Sequence, residues 1–272
     1  MTDQYAVIGR PINHTKSPTI HGLFAQTTNQ AMSYVAIEGS TDDFEGDIRQ
    51  FREAGGLGMN ITAPFKLKAY ALATRPSERA RLARAANALK FEGGEVFAEN
   101  FDGIGLLRDI EHNLGNPLRG KRVLLLGAGG AVRGALLPFL AAEPAQLLMV
   151  NRDVRKAQVL AWELKHPRLA VSTYQALAGE TFDVVINATS ASLTGELPPV
   201  PGTVFAKAAL AYELAYGKGL TPFLRLAQEE GAQRVADGVG MLVEQAAEAF
   251  EWWRGVRPDT QPVIERLTIP LA

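Results

Sequence analysis

The residues of this chain that could do chemistry fall into two groups. The first is a set of polar side chains at the ends of predicted strands in the N-terminal part: Thr15, Ser17, Asn60, Thr62, Lys66, Asn87 and Asp102. Taken singly, each has a structural explanation. Ser17 and Asp102 suit helix caps, Asn60 a turn, and Lys66 a solvated helix position. The second group is the run 123–134, Val-Leu-Leu-Leu-Gly-Ala-Gly-Gly-Ala-Val-Arg-Gly. Its apolar start suits a strand buried on both faces of a parallel sheet, and Gly127, Gly129 and Gly130 permit a tight turn. A helix beginning at Ala131 would aim unpaired N–H groups and its positive dipole end at that turn, which is how a pyrophosphate is held. Val132 stands where the dinucleotide motif has its third Gly or Ala, so the match is partial.

The next strand, 146–150, runs into Asn151-Arg152-Asp153-Val154-Arg155-Lys156. In a dinucleotide-binding unit this strand tip meets the adenosine ribose. Arg152 and Lys156 favour the 2′-phosphate of NADP, while Asp153 is a dissenting charge that leaves NAD open. Other chemistries find little support. His14, His21, His112 and His166 show no i, i+4 pairing or carboxylate pattern that would hold a metal. There is no Gly-x-Ser-x-Gly nucleophile turn.

The elements that must position these residues alternate in type. Strands are predicted at 5–9, 33–38 and 57–62, with Ser17-Pro18 opening a helix and a second helix at 42–54. Pro64 opens the helix that carries Lys66, a helix follows near 77–86, and Gly93-Gly94 joins a hairpin. Asp102-Gly103 starts a helix to about 114 that connects to the glycine-turn strand. Beyond it come strands near 147–150, 184–187 and 208–214, helices from Val154 and Thr221-Pro222, and an amphipathic helix over 241–253. Ala188-Thr189-Ser190 lies at a strand's C-terminal end, where α/β sheets bind ligands. The fold class is α/β in two domains, an N-terminal open α/β substrate domain and a Rossmann-type dinucleotide-binding domain.

Three stretches of the N-terminal half, 9–18 (Gly-Arg-Pro-Ile-Asn-His-Thr-Lys-Ser-Pro), 60–66 (Asn-Ile-Thr-Ala-Pro-Phe-Lys) and 100–103 (Asn-Phe-Asp-Gly), resemble the substrate motifs of shikimate dehydrogenases. Gly127-Ala128-Gly129-Gly130-Ala131, Asn151-Arg152 and Asn187-Ala188-Thr189-Ser190 resemble that family's cofactor motifs, and Asp237-Gly238, Met241-Leu242 and Gln245-Ala246-Ala247 its closing helix. The resemblance runs in order along nearly the whole chain. It implies reversible NADPH-dependent reduction of 3-dehydroshikimate to shikimate, with Lys66 and Asp102 as the catalytic pair. Thr15, Ser17 and Tyr216 would lie near the substrate carboxylate, and Asn60, Thr62, Asn87 and Gln245 around the ring hydroxyls, with Phe101 beside them. The implied cofactor positions are Gly127, Ala128, Gly129, Gly130, Ala131, Asn151, Arg152, Asp153, Lys156, Thr189, Leu214 and Gly238. Residues 1–101 would form the substrate-binding and catalytic domain, completed by the helical segment 238–272, and residues 102–237 the NADP-binding domain.

Chemistry supports the pair independently, because hydride transfer to a ketone develops alkoxide charge that a positioned ammonium can stabilise and protonate. The departures from the family are Thr15 for Ser, Ala88 for Thr, Phe101 for Thr, Glu213 for Asp and Asp153 for Thr. Phe101 is expected to point into the substrate cleft and to alter its wall. Quinate or aminoshikimate is therefore an alternative substrate, and a non-catalytic metabolite sensor a third reading, which retention of Lys66 and Asp102 opposes.

Composition bounds the rest. A net charge of −1 gives no sign of nucleic-acid or membrane binding. The family resemblance implies a small hydroxy acid as the partner, with the protein a monomer or homodimer. The chain has no cysteine, so disulfides and thiolate metal sites are impossible. The start, Met-Thr-Asp-Gln-Tyr, lacks the pattern of a signal peptide, and the expected location is cytoplasmic.

Overall fold

The structure, a computed structural model, describes residues 2–191 and 194–271. The chain divides into two compact units, Met1–Gly105 with Val243–Arg266, and Leu106–Leu242 with Leu267–Ala272. Among the described residues, no helix is long and apolar enough to cross a membrane.

The first unit holds β1 (Asp3–Gly9), α1 (Ser17–Thr27), β2 (Met32–Glu38), α2 (Phe44–Glu53), β3 (Gly56–Ile61) and α3 (Lys66–Leu72). Then follow β4 (Arg75–Pro76), α4 (Glu78–Ala83), β5 (Ala88–Glu92), β6 (Glu95–Glu99) and the start of α5 (Asp102–Arg108). Its sheet runs β2-β1-β3-β5-β6-β4, with β2, β1 and β3 mutually parallel and β5 antiparallel to both neighbours. Alternation along β1 explains the two cores. Ala6 and Ile8 pack with Met59, Ile61 and Leu89 on one face, while Tyr5 packs with Ala88, Phe101 and Trp253 on the other.

The second unit contains a six-stranded, wholly parallel sheet. Its elements are β7 (Arg122–Leu126), α6 (Gly130–Ala141), β8 (Gln146–Val150), α7 (Val154–Leu164), β9 (Leu169–Ser172), β10 (Val184–Asn187), β11 (Leu210–Glu213), α8 (Pro222–Glu229) and β12 (Val235–Ala236). The spatial order β9-β8-β7-β10-β11-β12 is that of a dinucleotide-binding sheet, with the reversal between β7 and β10. Val123 and Leu125 face one core and Leu124 and Leu126 the other, which is why β7 reads as an unbroken apolar run. The chain closes with α9 (Val239–Arg254) and α10 (Gln261–Leu267).

Several local features differ from expectation. α1 starts at Ser17 itself, and no side chain caps it; the Ser17 N–H instead donates to Thr15 Oγ1 at 3.3 Å. α3 starts at Lys66 rather than Pro64, because a turn closed by Phe65 N–H on the Thr62 carbonyl (3.0 Å) comes first. The short edge strands β4, β9 and β12 have no counterpart among the expected elements. Each is too brief to show a period. After α5 the coil widens into a π-helical turn over Asp109–Asn113, where the buried Asp109 carboxylate accepts from Tyr212 OH at 2.7 Å.

Candidate active site

In the first unit, strand pairing brings the polar set together. Asn60 is paired with Ala88 and Ala88 with Glu99, so the end of β3, the start of β5 and the end of β6 meet. Asn87 and Asp102 flank that point. Lys66, at the start of α3, is tied to it through its carbonyl, which accepts from Ala86 N–H at 2.9 Å. Lys66 Nζ donates to Asp102 Oδ2 at 2.6 Å, with 34% of the lysine side chain exposed and 12% of the aspartate's. The ammonium is thus held by a nearly buried carboxylate while remaining reachable. Asp102 Oδ1 accepts from Asn87 Nδ2 at 2.8 Å, and Asn87 Nδ2 also donates to Gln245 Oε1 at 3.1 Å. Asn87 Oδ1 accepts from Phe101 N–H (2.8 Å), and Asn100 Oδ1 from Asp102 N–H (3.2 Å). Asp102 therefore spends its side chain on Lys66 and Asn87 rather than on a helix cap, and Asn100 closes the turn ahead of α5.

Thr15 and Ser17 leave β1 at the same end of the sheet. The Thr15 hydroxyl donates to Ser17 Oγ at 3.2 Å, forming a hydroxyl pair. Thr62 follows β3 and is half-buried. A Cβ at Gly9 would overlap the Thr62 methyl, so the two loops approach as closely as a glycine permits.

In the second unit, the switch point between β7 and β10 opens into a cavity of about 680 Å³. Gly127, Ala128 and Gly129 line it from the first loop, Asn151, Arg152, Asp153 and Lys156 from the second, and Ala188 and Thr189 from the third. Gly127 has φ +118°, and a Cβ there would sit 3.1 Å from the Ala188 carbonyl oxygen. A side chain would both strain the backbone and close the gap between the loops. Asn187 Oδ1 accepts from the Thr189 N–H (3.1 Å) and hydroxyl (2.7 Å), while its Nδ2 donates to the fully buried Glu213 at 3.0 Å. Asp153 caps α7, accepting from Arg155 N–H at 3.1 Å. Tyr174 also lines the cavity; burial holds its phenol above the usual pKa, and Arg152 pulls the other way.

Family models match most of the chain. The shikimate dehydrogenase substrate binding domain matches residues 7–89, the shikimate/quinate 5-dehydrogenase model residues 109–194, and the shikimate 5′-dehydrogenase C-terminal domain residues 238–268. The chain is 54% identical to the shikimate dehydrogenase (NADP(+)) of Aromatoleum aromaticum, over 97% of this chain and 96% of that one. The chain belongs to the shikimate dehydrogenase family. Among solved structures, it is similar to the Ael1 enzyme from Pseudomonas putida (73% identity, full coverage of both chains, TM-score 0.99). It is also similar to the shikimate 5-dehydrogenase of Thermus thermophilus in complex with NADP(H) and shikimate (30% identity, 97% and 98% coverage, TM-score 0.86). The protein is accordingly an oxidoreductase of this family, with its Rossmann-type domain.

In this member of the shikimate dehydrogenase family, the expected residues sort cleanly. Lys66, Asp102, Asn87 and Gln245 form one bonded cluster, and Asn60 joins it by donating from Nδ2 to the Asn87 carbonyl at 3.3 Å. Gly130 and Ala131 begin α6, at the glycine turn. Leu214 N–H donates to the Asn187 carbonyl at 3.0 Å, which places it beside the third loop, and Gly238 N–H donates to the Ala215 carbonyl at 3.4 Å, next to Leu214. Tyr216 belongs to the second unit and is 42% exposed. Phe101 requires a correction. Its ring does not line a cleft beside Asp102; it is 3% exposed, packed with Tyr5, Ala88 and Trp253, edge-on to Trp252 with centroids 5.7 Å apart. Ala88 shares that cluster, so a small residue and a large one offset each other's volume in one buried space. Sequence reasoning sees Asn100 only as part of a motif. Tyr174 carries no sequence signal.

Proposed function

We propose that the protein catalyses the reversible NADPH-dependent reduction of 3-dehydroshikimate to shikimate. The observation that carries this reading is the 2.6 Å Lys66–Asp102 pair, braced by Asn87, in a chain of the shikimate dehydrogenase family. The first unit is the substrate-binding and catalytic domain and the second the NADP-binding domain. Bound NADPH supplies the hydride that reduces the ketone. Lys66 stabilises the negative charge growing on the carbonyl oxygen and delivers a proton to it from Nζ; in the oxidation direction the hydroxyl proton returns to Nζ. Asp102 aims the lysine and accepts a hydrogen bond from a substrate hydroxyl. Thr15 and Ser17 offer paired hydroxyls to the carboxylate, and Asn60, Thr62, Asn87 and Gln245 serve the ring hydroxyls.

The second-unit cavity fits NADP. The glycine turn at the head of α6 offers N–H donors to the pyrophosphate, and Arg152 and Lys156 offer cations to the 2′-phosphate. Asp153 turns its carboxylate to the α7 N-terminus, where the Arg155 N–H and the helix dipole partly offset its charge. That supports a preference for NADP over NAD despite the acid. Burial of Phe101 and Ala88 supports shikimate over a substrate demanding an altered wall, since these two departures meet each other in the core. The expected setting is a cytoplasmic biosynthetic enzyme. The decisive experiment assays the purified protein with shikimate, quinate and an amino analogue, each with NADP and NAD. Shikimate with NADP should give the highest kcat/KM. A higher value for quinate or the amino analogue would overturn the substrate.

A further inference from the structure

One buried group in the first unit has no part in the chemistry above. His21, on α1, is fully buried, and neither ring nitrogen has a hydrogen-bond partner among the described residues. Its ring lies flat against Tyr34 of β2, with centroids 4.1 Å apart and planes within 7°. Phe24, Phe250 and Trp253 enclose it. Burial lowers its pKa to about 3, against a smaller upward pull from the Asn60 side chain. His21 is thus a neutral, flat surface at neutral pH, and its effect is on its neighbour.

Tyr34 held against that surface directs its hydroxyl at Asn60, donating to Oδ1 at 2.7 Å, with Ser17 near enough to interact with the same hydroxyl. Burial raises the phenol's pKa well above its ordinary value, so the hydroxyl keeps its proton and remains a donor. A carboxamide is almost symmetric in shape, and only its partners decide which end is oxygen. Here a donor faces one end and the Asn87 carbonyl the other, at 3.3 Å from Nδ2. Both partners impose the same orientation.

We propose that Tyr34 is a specificity-determining positioning residue: its hydroxyl, steadied by the His21 ring, locks the Asn60 carboxamide so that its N–H₂ rather than its oxygen serves a substrate ring hydroxyl. This rests on the reading of Asn60 as a substrate residue of a shikimate-oxidising site. Without Tyr34 only the 3.3 Å bond to the Asn87 carbonyl would hold the amide, and the flipped orientation, which offers the ring an acceptor, would be populated more often.

The test uses the full chain and Tyr34→Phe, which keeps the stacked ring and deletes only the hydroxyl. In ¹⁵N–¹H spectra, the Asn60 side-chain amide, located by its loss in Asn60→Ala, should shift and exchange faster with solvent. The KM for shikimate should rise about tenfold, the scale of one lost hydrogen bond, with kcat and the KM for NADP within about twofold. Tyr34→Phe placed on Asn60→Ala should add nothing further. His21→Leu, which removes the flat support, should move the amide signal and KM in the same direction. Unchanged Asn60 amide signals, or fully additive effects in the double variant, would overturn the proposal. Should the parent protein fail to oxidise shikimate, the functional reading falls, while the amide spectra still decide whether Tyr34 orients Asn60.

Discussion

Lys66 and Asp102 are bonded directly, and removing Asp102 also takes away the acceptor of Asn87 Nδ2. Lys66→Ala should lower kcat by at least about a hundredfold, the scale of general acid–base catalysis, with a smaller effect on KM. Steady-state rates measure it, and a variant keeping most of its turnover would end the mechanism. Asp102→Asn removes the charge that holds Lys66 and leaves one acceptor oxygen where Lys66 and Asn87 each need one, and should lower turnover and weaken substrate binding together. Phe101 carries the opposite expectation. Because its ring lies in the cluster with Trp252 and Trp253, Phe101→Thr should destabilise the protein by about 3 kcal/mol, as large-to-small core changes do. The kcat/KM for shikimate should stay level or fall. Urea melts and kinetics on the same preparation decide it, and a large gain in kcat/KM with unchanged stability would return Phe101 to the substrate wall.

At the scale of elements, the proposed determinant of cofactor choice is the turn from β8 into α7. Arg152 and Lys156 present two cations at the cavity, and Asp153 presents one carboxylate already engaged as the helix cap. Arg152→Ala should weaken NADP binding by roughly 1–2 kcal/mol while leaving NAD nearly unaffected, because a charge-assisted bond to the 2′-phosphate is lost. Asp153→Thr retains a capping oxygen and removes the charge, so the preference for NADP should grow. Titrating both dinucleotides against each variant separates these effects. Better kcat/KM with NAD than NADP in the parent would recast Asp153 as a ribose ligand.

The stability of the whole molecule should report the buried histidine. Folding moves His21 from the ordinary value of 6.5 to about 3. Between those limits the unfolded chain takes up a proton that the folded chain refuses, so stability is full above pH 6.5 and is lost as pH falls through this window. The slope from this residue is about 1.4 kcal/mol per pH unit. From about pH 7 to about pH 5 the parent should therefore lose about 2 kcal/mol more than His21→Phe, which keeps an aromatic ring and cannot titrate. Urea melts at the two pH values test this. Parallel losses in parent and variant would mean that His21 is protonated in the folded protein.

What the sequence determined by itself is whatever depends on local order. The glycine turn after β7, the Arg and Lys after β8, the alternation of strands with helices, and the motifs around Lys66 and Asp102 are each contained within about ten neighbouring residues, where period, turn chemistry and charge are visible. Only the tertiary structure decided matters that depend on pairing across the chain. Strand order placed Asn60, Asn87 and Asp102 at one junction although up to 42 positions separate them in sequence. It turned the Phe101 ring toward Trp252, when its neighbour Asp102 had suggested the opposite, because adjacent residues leaving a strand point to different faces. It also set Tyr34 against His21 and Asn60. A tyrosine on a strand and a histidine on a helix carry no local mark of partnership. Their roles arise from burial and from which polar atoms find partners, and both are properties of the packed chain alone.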